Sequence, residues 1–304
     1  MGNKKKLIFK TLTLASSTFL KTISKFHLTL VLTLALTSCS SALFENTLFK
    51  DASGLSSRRG RSPSSYGLNY SKIRIDSKID SWFIPAIGQK NSNNTLTSKA
   101  TVIFFHSKNG TPKKDFYRTL WLLNKSYNVL IPDHNSVEDI YSELDTIVNF
   151  VGKNEKLGKI ILWGQDIGAS MVIYLAANSF NKSNICLTIA EGTIPNYSET
   201  SKKETSKNFM LKPFSKVFSM VSSKLANSIY DAENFIENIS PAPLLVIHGT
   251  EDKKVSTEEI KKLYAKARKP KELWLIKGAS HLNSLYNQKL RQDQLGKYID
   301  INCL

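Results

Sequence analysis

The sequence predicts an α/β protein with a mostly parallel central sheet, helices on both faces and a small helical cap. Three observations carry that expectation. Short apolar, β-rich runs alternate with segments of helical period from about Tyr70 to the end of the chain. Several of those runs are apolar throughout, as strands buried on both faces must be. The stretch "ILWGQDIGAS", Ile161 to Ser170, reads as a strand entering a sharp turn and then a helix.

Taken in order, "KIRID" and "SWFIPA" are the opening strands and "ATVIFFH", Ala100 to His106, is the next. "DFYRTLWLLNK" reads as the helix after it, and "YNVLIPD" as the strand that follows. Ser136 with Asp139 gives a capping-box pattern ahead of Val137, Ile140, Tyr141, Leu144, Ile147, Val148 and Val151, one apolar face at helical spacing. "KIILW" leads into the turn and its helix, and "NICLTIA" and "PLLVIHG" are further strands. Ser256 with Glu259 caps a helix carrying Ile260, Leu263 and Tyr264; "KELWLIK" is the last strand, and a helical pattern runs from Leu282. Between the strand ending near Glu191 and the one starting at Pro243, a segment of about 195–240 makes the expected cap. Its first part, "SETSKKETSKN", is polar, and its second places Phe214, Val217, Phe218, Val221 and Leu225 on one helical face.

Residues 1–38 have another character. They contain six lysines and no acid, open on Lys4, Lys5 and Lys6, and finish in an apolar run from Leu28 to Leu36, the layout of a secretory signal. That run falls short of the roughly 20 residues that span a bilayer, and Lys21 and Lys25 interrupt any longer span. It ends at "LTSC", Leu36 to Cys39, which resembles a bacterial lipoprotein lipobox. The resemblance implies lipid attachment at Cys39 followed by cleavage before it, so that diacyl and N-acyl chains of the palmitate type make the membrane a partner. Ser40, rather than the Asp that retains such proteins at the inner membrane, points to the outer membrane with the domain in the periplasm. Residues 39–69, rich in Ser, then form a flexible tether, and 70–304 the domain.

The chain of 304 residues carries a net charge of +17, and loss of the six signal lysines leaves +11. Its basic residues are scattered and not interleaved with aromatics, apart from "SSRRGRS" at 56–62, so no nucleic-acid partner is expected. With Cys39 committed to lipid, only Cys186 and Cys303 remain, and no disulfide framework is implied. His106, His134 and His248 lack ligand spacing and read as structural, so neither a metal nor a cofactor is called for.

The chemistry concentrates at three loops. Gly164 and Gly168 flank Asp166 in the pattern by which one large fold exposes a nucleophile on a strand-to-helix elbow. "PLLVIHGTED" sets Asp252 after the penultimate strand, and "LIKGASH" sets His281 after the last. The order of elbow residue, acid and His is that of the α/β-hydrolases. Over 70–304 the motifs "GQDIGA", "HGTED" and "GASH" make the chain resemble that superfamily, and most closely its Bem46 and serine-aminopeptidase-like branch. The resemblance implies a small-molecule substrate. It also implies an oxyanion hole from the backbone amides of Lys108, in "HSKNG", and Ile167, although Ser107 stands where the family carries Gly.

Asp166 departs from the family, which has Ser there. It is open to three readings: a nucleophile attacking an epoxide or halide carbon, a lost Ser in a catalytically silent protein that binds a ligand or another protein, or a general base acting on an ester-like substrate. The halide reading lacks the Trp that commonly follows such an Asp, Ile167 being there instead; the epoxide reading has Tyr197 and Tyr230 as lid tyrosines. Ser170 lies one helical turn below the tip and cannot take the place of Asp166.

Overall fold

The computed structural model describes residues 62–76, 78–87, 89–90, 96–107, 110–133, 137–197, 199–200, 203 and 231–304. The signal segment with Cys39, Lys108, His134, Ser136, Tyr230 and the apolar face from Phe214 to Leu225 lie outside these residues.

Eight strands form one sheet: β1 (Ser71–Ile75), β2 (Ile79–Ile84), β3 (Ala100–Phe105), β4 (Tyr127–Pro132), β5 (Lys159–Gln165), β6 (Ile185–Glu191), β7 (Leu244–Gly249) and β8 (Lys271–Ile276). Their spatial order is β1-β2-β4-β3-β5-β6-β7-β8. β2 runs antiparallel to β1 and β4, and the other pairings are parallel. The order turns back between β3 and β5, and the crevice beyond the ends of those two strands is where an open α/β sheet takes its ligands.

Alternation along the central strands divides the core. Ile103, Phe105, Leu130 and Leu162 face the layer of α1 (Val137–Gly152), α2 (Ile167–Asn178) and α3 (Thr257–Lys266). Val102, Phe104, Val129, Ile131 and Trp163 face the opposite layer, where Leu122, Leu123 and α4 (Lys289–Cys303) pack. α1 is amphipathic, burying Leu144, Ile147, Val148 and Val151, whereas α2 is buried on almost every side because it starts at the sheet's centre. Among the described residues, no helix is long and apolar enough to cross a membrane.

Three expectations change. The single helix read over 115–125 is broken into Pro112–Asp115, a tight turn Phe116–Arg118, and Leu120–Leu123. The break lets Asp115 and Arg118 pair inside the protein while Phe116 packs edge-on against Tyr66, their ring centres 5.8 Å apart. The closing helix starts at Lys289 rather than near Leu282, because 281–288 form a loop tied down by Arg118 and Arg291, which donate to the carbonyls of Leu282 and Ser284. Cys186 on β6 and Cys303 on α4 form a disulfide across 117 residues, where no pairing was expected. Proximity that far apart in sequence is created by the fold alone. Within the segment read as tether, Pro63–Tyr66 form a helical turn with Pro63 buried.

Candidate functional site

The elbow is shaped by its glycines. A Cβ on Gly164 would lie 2.0 Å from the Gly168 carbonyl oxygen, and one on Gly168 would lie 2.2 Å from that of Phe105. This close interlock of β5, α2 and β3 lifts Asp166 onto the tip, at φ 58° and ψ −114°. A side chain there costs on the order of 1–3 kcal/mol, and the surrounding packing enforces it. The Asp166 N–H donates to the Glu191 carbonyl at 3.1 Å, fixing the tip to the end of β6.

The other two loops converge on it. The N–H groups of Lys254 and Val255 donate to Asp252 Oδ1 at 2.8 and 3.0 Å, which aims Oδ2 at His281 Nδ1, 2.6 Å away. On the far side of the ring, His281 Nε2 lies 3.1 Å from Asp166 Oδ1. Asp166, His281 and Asp252 therefore form one hydrogen-bonded chain. Arg118 braces the histidine loop, donating through Nη1 to the Leu282 carbonyl at 3.0 Å while its Nε bonds Asp115 at 3.2 Å.

Two contacts escape sequence reasoning. Lys254 extends from the acid loop to place its ammonium 2.7 Å from the same Asp166 Oδ1. His248 is buried behind the acid, its Nδ1 3.7 Å from Asp252 Oδ2. No spacing rule signals either: a Lys two residues after a turn acid reads as solvated, yet its side chain here is only 15% exposed.

The charges are strongly coupled. Burial alone would push the Asp166 carboxyl up, but the Lys254 ammonium and His281 outweigh it and hold the group well below the usual carboxylate range. Burial likewise opposes ionisation of Asp252, and its bonds from His281 and the loop amides overcome that. Burial disfavours a charged His281, yet hydrogen bonds to Asp166 and Asp252 raise its pKa. The hydrogen bonds on both sides of the ring thus favour its charged form between the two carboxylates.

Ile167 opens α2 directly after the tip, so its N–H is one of the helix's unclaimed donors, while its side chain is wholly buried. His106 and Ser170 are buried, Ser170 within α2. Tyr197 is enclosed in the core layer beside α2. At the end of β6 the buried Glu191 accepts from Gln165 Nε2 at 2.7 Å, and burial pushes its carboxyl up. Among the described residues, no group of three or more His, Cys, Asp or Glu could hold a metal ion.

The sheet order, the elbow and the loop positions define a molecule with the α/β-hydrolase fold. Similar solved structures include the esterase Pf2001 of Pyrococcus furiosus, which at a TM-score of 0.62 and 21% identity aligns over 81% of this chain and 96% of its own. Est1E of Butyrivibrio proteoclasticus follows at 0.56 and 16%, over 77% of this chain and 98% of its own. In sequence, the uncharacterised protein YfhR of Escherichia coli K12 is 25% identical over 218 residues, 68% of this chain and 70% of its own. The YfhR of Salmonella typhimurium is 24% identical over 242 residues, 73% and 77% of the two chains. No protein-family model matches the chain.

Proposed function

We propose that the protein is a hydrolase in which Asp166 is the nucleophile, attacking an electrophilic carbon of a small substrate to form an ester that His281 and Asp252 then help water to hydrolyse. The carrying observation is how the two carboxylate oxygens differ. Oδ1 is held by both Lys254 and His281, while Oδ2 accepts no hydrogen bond from a described residue. Oδ1 is thus anchored by two described side chains, and the attack is assigned to Oδ2. Ester formation also removes the Asp166 anion that raises the His281 pKa, so the ring gives up its proton at the stage that needs a base.

The Lys254 ion pair favours a second reading, a silent hydrolase frame that binds a ligand or protein partner, because a carboxylate bonded to two cations is a weakened nucleophile. Intact-mass measurement separates the two. With epoxide and bromoalkane probes, His281→Gln should accumulate a covalent adduct on Asp166, since attack does not require the ring and hydrolysis does. If no adduct forms, and Asp166→Ser instead gains labelling by a fluorophosphonate, the silent reading replaces the active one.

The protein is further proposed to be a lipoprotein acylated at Cys39, with its domain in the periplasm at the outer membrane. The Cys186–Cys303 disulfide supports an oxidising compartment. Fatty-acid labelling that is absent from the wild type, or that survives Cys39→Ala, would refute the anchor.

A further inference from the structure

We infer that Lys254 is the acid that protonates a leaving oxygen, which makes epoxides the substrate class of this site. The inference rests on Asp166 being the nucleophile. When a carboxylate opens an epoxide, the attacked carbon's C–O bond breaks and the oxygen stays on the substrate as an alkoxide, which must take up a proton; a departing halide needs none. Lys254 brings an ammonium to within 2.7 Å of Asp166 Oδ1, on a long side chain that the acid loop projects into the site. No other described group at the elbow takes that part. His281 is engaged on both nitrogens by carboxylates, and Tyr197 is enclosed in the core with 1% exposure. Ile167, at the position after the nucleophile, buries an apolar side chain and offers no side-chain donor to a halide.

The steps balance. Asp166 Oδ2 bonds to the substrate carbon, the C–O bond breaks, and Lys254 Nζ gives its proton to the oxygen, leaving a hydroxyalkyl ester and a neutral amine. With the Asp166 anion gone, the His281 imidazolium releases its proton, and the Lys254 amine takes one up. Neutral His281 then accepts a proton from water as the water oxygen adds to Asp166 Cγ. Collapse expels the product oxygen, which takes the proton of the newly formed Asp166 carboxylic acid. The site returns to its starting charges, and the sum is one epoxide and one water converted to a vicinal diol, with no oxidant, reductant or cofactor.

The leaving group provides the test. Adduct formation on Asp166 is timed by intact mass in the His281→Gln background, with styrene oxide and with a bromoalkane, for the parent, Lys254→Met and Lys254→Arg. Loss of an acid should lower the ratio of epoxide rate to bromide rate about 100-fold in Lys254→Met, since any change in Asp166 ionisation acts on both probes alike, and Lys254→Arg, which keeps a cation but holds its proton, should show a similar fall. If Lys254→Met slows both probes equally, Lys254 only holds Asp166 in place and the inference falls, while the nucleophile stands. If the parent alkylates with neither probe, both fall. Thermal melting checks that Lys254→Met is folded; if it is not, Lys254→Arg decides: an epoxide-to-bromide ratio about 100-fold below the parent's supports the acid, and an unchanged ratio overturns it.

Discussion

Asp166 is held in an expensive backbone conformation and surrounded by charge, and each feature has a measurable counterpart. The depressed pKa of Asp252 means that its bonds stabilise the fold fully above about pH 4 and are lost as pH falls through its lower folded value. The raised pKa of His281 has the opposite sign: its contribution is complete below about pH 6.5 and is lost as pH rises through its raised folded value. The site should therefore be most stabilising at mildly acidic pH. Melting temperature measured against pH should show an alkaline decline in the wild type that shrinks in His281→Asn, and an unchanged decline would refute a charged resting His281. At this scale the sequence was informative about Asp166, Asp252 and His281, because each sits in a short motif at a strand end. It was silent on Lys254, whose role depends on the direction of a long side chain, and on His248, which touches Asp252 only because the chain turns between them.

Among the elements, α3 is the one whose start was written most plainly. Ser256 Oγ accepts from the Glu259 N–H at 3.3 Å, and Glu259 Oε2 accepts from the Ser256 N–H at 2.7 Å. This reciprocal cap begins two residues after Lys254, so it also sets the exit of the acid loop. Ser256→Ala should cost about 1 kcal/mol in denaturant unfolding. α1 was legible for a related reason, a single apolar face repeated over four turns. The segment 112–125 was not, since Leu120 to Leu123 are four apolar residues in succession and the buried Asp115 and Arg118 pair dictates the break. Residues 281–288 keep helical spacing but serve as a loop, because His281 must stand clear of any helix to reach both carboxylates.

For the whole molecule, a mostly parallel sheet with helices on both faces followed from the rhythm of strands and helices, whereas the strand order and the disulfide required the finished fold. The bridge joins β6 to the last turn of α4 and closes a loop of 117 residues that holds both the acid and the histidine loops. Cys303→Ser should lower unfolding stability by about 2–5 kcal/mol, read from the denaturant midpoint without reductant. The same bridge sets where mechanical load runs. A pull between the start of the domain and its C-terminus passes through Asp166, leaves the backbone at Cys186, crosses to Cys303 and exits, so Asp252 and His281 lie on a slack loop. Stretching would disrupt the elbow while the loop stays coiled, and only reduction would release its further contour of about 400 Å.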